Sequence, residues 1–240
     1  MNHPQTALIA GASSGAGAAT ARALADLGMD VALIARRADR LERLAGDVRA
    51  SGRAAHALPA DLARSGEADR AMGAALAALG SLDVLVYAAG INVRDRRLDA
   101  LSIANWDAII AANLSGAFYC VHAALPAMRA RGRGLIVFIS SVAASRPSAL
   151  SGAAYSASKA GLNALATCIN LEESDHGIRA CTIEPGDIDT DLLDQRPRRP
   201  TPEQRTTMLR PEDIASLVAQ VVRQPPNVLV QNLTVRPWRE

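Results

Sequence analysis

Tyr155 and Lys159 stand four residues apart in Tyr155-Ser156-Ala157-Ser158-Lys159. The residues from Ala160 to Leu165 continue as an apolar helical stripe, and on a helix that spacing puts both side chains on one face. A phenol with an unperturbed pKa of about 10 transfers protons poorly near neutrality. A neighbouring ammonium favours the phenolate and lowers that pKa. The pair therefore predicts a tyrosine tuned to exchange a proton with a substrate oxygen. The same spacing also fits an ordinary helix face with a lysine reaching solvent, so the elements that would position the pair must decide.

The first of these elements is a strand, turn, helix, strand unit at the start of the chain. Thr6 to Ala10 is a short apolar run, Ala18 to Leu27 has helical composition, and Val31 to Ala35 is apolar again. Between the first run and the helix lies Gly11-Ala12-Ser13-Ser14-Gly15-Ala16-Gly17. Glycines let the backbone turn tightly and approach a phosphate, and the helix start beyond offers free N–H groups and the positive end of its dipole. This predicts nucleotide binding. After the second run come Arg36 and Arg37, with no carboxylate at the strand end. An acidic residue there would hold the ribose of NAD; an arginine suits the 2′-phosphate of NADP. Arg36 is the first choice for that contact and Arg37 the second.

Further strands are expected at Ala54 to Leu58, Leu82 to Tyr87, Leu135 to Ile139, Arg179 to Ile183 and Val228 to Val235, with helices between them. Asp61-Leu62, Ala88-Ala89-Gly90, Ser140-Ser141 and Pro185-Gly186-Asp187-Ile188-Asp189-Thr190 lie just after strands. Asn113 falls inside a helical stretch, where asparagine is mildly unfavourable. The alternation predicts an α/β fold: one Rossmann-like doubly wound domain over residues 1–240, with a seven-stranded, mostly parallel sheet and helices on both faces.

Composition narrows the partners. The 240 residues are 49% hydrophobic and carry a net charge of +2, too near balance to point to nucleic acid or a membrane surface. Cys120, Cys168 and Cys181 are widely spaced in apolar surroundings and read as buried thiols in a reducing compartment, and His3, His56, His122 and His176 show no ligand spacing, so no metal site is expected. No signal pattern or bilayer-length apolar run stands out, which places the expected location in the cytoplasm.

The motifs Gly11-x-x-x-Gly15-x-Gly17, Asp61-Leu62, Ala89-Gly90, Asn113, Ser141, Tyr155-x-x-x-Lys159 and Pro185-Gly186-x-Ile188-x-Thr190, in this order, resemble the short-chain dehydrogenase/reductase family over essentially the whole chain. The ending from Asn227 to Pro237 is similar to a branch with NADP-dependent serine and 3-hydroxy acid dehydrogenases. The resemblance implies an oxidoreductase that interconverts a secondary alcohol and a ketone with NADP, NAD being the alternative. It implies Tyr155 as general acid and base and Lys159 as the group that lowers its pKa and holds the nicotinamide ribose. Ser141 would bond the substrate oxygen, with Ser140 as fallback, and Asn113 would place a relay water. Asp61 and Leu62 would contact adenine; Ile188 and Thr190 would lie at the nicotinamide end. A homodimer or homotetramer is also implied, built on the helices of Asn113 and Tyr155, with Ala111, Leu114, Ala117, Phe118 and Val121 as compatible contact positions. A cofactor-binding regulator without turnover is the competing expectation.

The chain departs from the family where it has Ala10 in place of the usual threonine and Tyr87 in place of the first asparagine of Asn-Asn-Ala-Gly. Those two positions interact across neighbouring strands in the family, so their joint absence reads as one change. Finally, residues 191–210 are rich in arginine and carry Pro197, Pro200 and Pro202. They are expected to form a mobile segment over the substrate. One or two of Arg196, Arg198, Arg199, Arg205 and Arg210 are expected to meet an acidic substrate group.

Overall fold

The computed structural model describes residues 5–238. His3 and the outermost ends of the expected 1–240 domain lie outside them. Seven strands, β1 (Thr6–Ala10), β2 (Asp30–Ala35), β3 (Ala55–Pro59), β4 (Val84–Tyr87), β5 (Gly134–Ile139), β6 (Ile178–Pro185) and β7 (Asn232–Val235), form one sheet. Their order is β3-β2-β1-β4-β5-β6-β7, and every pairing is parallel. Strands β1, β4 and β5 are buried at every position. Such continuous apolar runs are what a parallel sheet covered on both faces requires.

Helices α1 (Gly15–Asp26), α2 (Ala38–Ala50) and α9 (Pro211–Val222) cover one face, through Leu24, Leu41, Leu44, Ile214 and Val218. Helices α3 (Ser65–Leu79), α5 (Gly116–Arg131) and α7 (Ala153–Glu172) cover the other, through Met72, Cys120, Met128, Leu162 and Ile169. Short helices α4 (Ile103–Ile110), α6 (Val142–Ser145) and α8 (Pro202–Thr206) lie in the connections. Strand order reverses between β1 and β4, which opens a crevice at their carboxyl ends, the place where such sheets bind ligands.

Four expectations change, the first being that Cys168, on the outer side of α7, is exposed while Cys120 and Cys181 are buried. The last strand begins at Asn232, not Val228, because Arg179 takes the carbonyls of Gln224, Pro225 and Val228 and fixes that stretch as a loop. The helical path Ile103–Arg131 is, by length and composition, long and apolar enough to cross a membrane, contrary to the sequence reading. In the fold, Ile109, Ala117, Cys120, Val121, Ala124 and Met128 on this path are buried. Ala117 and Val121 thus belong to the core, and of the expected contact positions Phe118 is the one left exposed.

Ala10 and Tyr87 are direct partners in the β1–β4 register. The methyl of Ala10 accompanies a fully buried Tyr87 ring, whose hydroxyl donates to the Ala112 carbonyl at 2.6 Å. A Cβ at Gly116 would overlap that hydroxyl and come within 2.7 Å of the Leu62 carbonyl oxygen. Small residues at 10 and 116 therefore make room for one large side chain beneath the crevice. Removing the hydroxyl leaves a carbonyl without its partner, at a cost of about 1–3 kcal/mol. Tyr87→Phe should accordingly lower the thermal midpoint by several degrees. An unchanged melting curve would show that this bond holds nothing.

Candidate active site

The crevice holds a cleft of about 500 Å³. Every residue singled out from the sequence as a cofactor contact lines it: the glycine-rich turn, Arg36 and Arg37, Asp61-Leu62, Ala88-Ala89-Gly90, and Pro185-Gly186, Ile188 and Thr190. At Gly11, with φ +87°, a Cβ would come within 2.7 Å of the Ala88 carbonyl carbon; at Gly17 one would come within 2.9 Å of the Gly11 carbonyl carbon. The turn thus packs so closely on the β4 end that its backbone lines the cleft. Ser14, at the N-cap of α1, makes no side-chain cap, so no side chain there competes for the first-turn amides. This arrangement fits an anionic dinucleotide.

The two arginines part company. Arg37 lies on the turn and donates to Ser13 Oγ at 3.1 and 2.9 Å and to Ser14 Oγ at 2.6 Å. Arg36 is exposed at the rim and makes no such bond. Asp191 sits beside this group, 3.0 Å from Arg40 and 3.8 Å from Arg37. Arg36 and Arg37 both line the cleft, and of the two Arg37 is the one anchored on the turn.

Tyr155 and Lys159 sit in the first turns of α7 and both face the cleft. Lys159 is buried, donates to the Ile139 carbonyl at 2.8 Å and lies 5.6 Å from the centre of the Tyr155 ring. Burial lowers its pKa to about 8. The expected lowering of the Tyr155 pKa is not found. Burial raises it, and the groups opposing that rise are the Ser141 hydroxyl, Arg96 and Arg196. The reason is placement: the ammonium is anchored on the β5 carbonyl and over the ring. Guanidinium groups on the substrate side act on the phenol instead.

Ser140 is spent on structure, donating to the Lys159 carbonyl at 3.1 Å and so tying β5 to α7. Ser141 lines the cleft next to Tyr155 and caps α6, accepting from the Ala143 amide at 3.1 Å. The register thus leaves Ser141 free to face a ligand. Asn113 lies in a π-helical turn, Ala111–Ser115, joining α4 to α5. Such turns widen the helix locally and recur at functional sites. Its side chain is buried; it accepts from the Ile91 amide at 2.7 Å and donates to the Ile91 carbonyl and Ser158 Oγ at 3.0 and 3.1 Å. Asn113 Oδ1 and Lys159 Nζ both come to 3.5 Å from the space a Cβ would take at Gly90. Ser141, Tyr155 and Lys159 are therefore gathered at one end of the cleft, with Asn113 buried beside Gly90 and not itself lining it.

As expected from the prolines, no helix runs across 196–201 in the segment 191–210. It contains a 3-10 turn, Asp191–Gln195, and then α8, with Pro202 in the first helical turn where proline is tolerated. Arg205 reaches Asp189 and Asp194, Arg210 reaches Asp189, and Arg196 pairs with Asp187. Of the five arginines considered for the substrate, Arg196 lines the cleft, while Arg198, Arg199, Arg205 and Arg210 do not. Sequence reading missed Arg96, a buried residue lining the cleft from the loop after β4. Its run Arg94-Asp95-Arg96-Arg97 carries the composition of a solvated loop, and nothing local marks the one residue that turns inward.

Comparison with known proteins gives the same picture. The sequence profile described as short chain dehydrogenase matches residues 5–200. An uncharacterized oxidoreductase of Staphylococcus haemolyticus is 33% identical over 233 residues, 97% of each chain. A metagenomic short-chain oxidoreductase in complex with NADP superposes with a TM-score of 0.84 at 36% identity, over 99% of both chains. A 3-ketoacyl-(acyl-carrier-protein) reductase from Brucella melitensis complexed with NADH superposes at 0.88 and 27% identity, over 99% of this chain and 98% of that one.

Proposed function

The chain belongs to the short-chain dehydrogenase family of oxidoreductases, and on that premise we propose that it interconverts a secondary alcohol and a ketone with NADP, using Tyr155 as general acid and base. The observation that carries this reading is the meeting of Ser141, Tyr155 and Lys159 at the end of a cleft whose other end is the Gly11–Gly17 turn, with Asn113 buried beside Gly90. When bound, the nicotinamide would supply or accept the hydride at the substrate carbon. The protein would do the rest. Ser141 would hold the substrate oxygen, and Tyr155 would give that oxygen a proton in reduction and take it back in oxidation. Lys159 would hold the ribose and, with Asn113, pass the proton onward through a bound water.

Arg37, with Arg36 beside it, would hold the 2′-phosphate. The segment 191–210 would close the substrate side of the cleft through Leu192, Leu193 and Arg196. Turnover of NADPH and NADH, side by side, against a panel of ketones tests the reading. Cofactor binding without turnover of any ketone would favour the regulatory alternative. A homodimer or homotetramer is part of the same proposal, with Phe118 on the exposed side of α5. Mass measurement at micromolar concentration should show two or four chains, and a monomer would refute it.

A further inference from the structure

Arg96 is 5% exposed, although its guanidinium is a permanent charge. It donates to three backbone carbonyls: Val93 at 2.6 Å, Leu150 at 3.0 Å, and Gln195. These belong to the loops after β4, β5 and β6, so one side chain pins all three walls of the substrate end. A guanidinium has five N–H donors, and these bonds use three. Carbonyls satisfy donors but bring no opposite charge. Among the described residues no carboxylate pairs with Arg96. The buried Asp83, by contrast, is met by Arg131 and Arg133 at 3.1 and 3.0 Å.

The next charges do not make up the difference. Arg196 lines the same cleft and its side chain is only 16% exposed, and it pairs with Asp187. The substrate side of Tyr155 thus holds two guanidinium groups against one carboxylate. Both cations lie close enough to Tyr155 to oppose the rise in its pKa, and Asp187 acts the other way. A buried charge without a counter-ion is costly and is normally met by one. Here the missing partner has to enter with the ligand.

Resting on the oxidoreductase reading, we propose that the substrate carries a carboxylate, seated between Arg96 and Arg196, beside the carbonyl that is reduced. Arg96 would then be a specificity-determining residue, with its charge, not merely its clasp on three loops, selecting the acid. This replaces the expectation that Arg198 and Arg199 contribute, since neither lines the cleft.

The test uses 2-oxo, 3-oxo and 4-oxo acids, each beside its methyl ester, with NADPH and NADH. The wild type should favour the acid of at least one pair by tenfold or more in kcat/KM. Arg96→Gln, which keeps hydrogen bonding and removes the charge, should abolish that preference, lowering kcat/KM for the acid at least tenfold more than for its ester. Arg96→Lys, which keeps the charge and loses the fork, should retain most of it. Acid and ester falling by the same factor in Arg96→Gln, or a wild type that prefers the esters, would overturn the proposal and reduce Arg96 to a loop clasp. Should no acid or ester turn over, calorimetric titration of the cofactor-bound protein separates the two readings. Binding of an acid but not its ester would support the carboxylate seat while refuting the oxidoreductase reading, and binding of neither would refute the seat.

Discussion

Tyr155→Phe is expected to lower kcat by about a hundredfold or more, the usual worth of a positioned acid-base group. The substitution removes one hydroxyl and keeps the ring on which Lys159 lies. The Gly11–Gly17 turn and the groups expected to hold the adenine end lie elsewhere in the cleft, so cofactor dissociation constants should change by no more than a few-fold. In the proposed reduction the hydroxyl is the proton source for the substrate oxygen. Its pKa, raised by burial, keeps it protonated around neutrality and hence competent as an acid. Oxidation needs the opposite state and should gain as pH rises towards that pKa, so in the wild type the oxidative direction should show the stronger alkaline preference. In Tyr155→Phe the residual rate should lose this dependence. Turnover within a few-fold of wild type would remove Tyr155 from the mechanism.

Arg37→Ser is expected to weaken NADPH binding by about ten- to a hundredfold, and NADH binding by much less. A charge-assisted hydrogen bond is worth roughly 1.5–3 kcal/mol, and each 1.4 kcal/mol is about a factor of ten. The choice of Arg37 over Arg36 rests on its bonds to Ser13 and Ser14, which hold a cation directly on the turn. Arg36 projects from the strand end with no such anchor, so Arg36→Ser should have the smaller effect. Asp191 places a carboxylate beside Arg37 and Arg40, on the site a phosphate would seek. Equal weakening of both cofactors by Arg37→Ser would mean that the arginine supports the turn and reads no phosphate.

The alternating strands and helices were legible because their causes are local. A parallel strand buried on both faces must be apolar throughout, and β1, β4 and β5 are. The phosphate-type turn was legible because only glycine fits where Gly11 and Gly17 press on neighbouring backbone. Tyr155 and Lys159 share a face by helical spacing alone. These features, with the order of the motifs, sufficed for the fold and for the expected cofactor contacts that line the cleft, but not for Arg96.

What only the tertiary structure decided depends on partners distant in sequence. The coupling of Ala10 with Tyr87 is already implied by the family resemblance, but the acceptor of the Tyr87 hydroxyl, the Ala112 carbonyl, is not. The pKa direction of Tyr155 follows from burial, which outweighs the opposing Ser141, Arg96 and Arg196, and no helical spacing reveals it. The arginines of 191–210 look unpaired in sequence, yet Asp187, Asp189 and Asp194 take up Arg196, Arg205 and Arg210. Arg96 turns inward because three carbonyls converge on it, two of them 54 and 99 residues further along the chain. Local pattern records whether a residue suits a helix, a strand or a turn; whether a charge ends up buried without a counter-charge is fixed by which loops close over it.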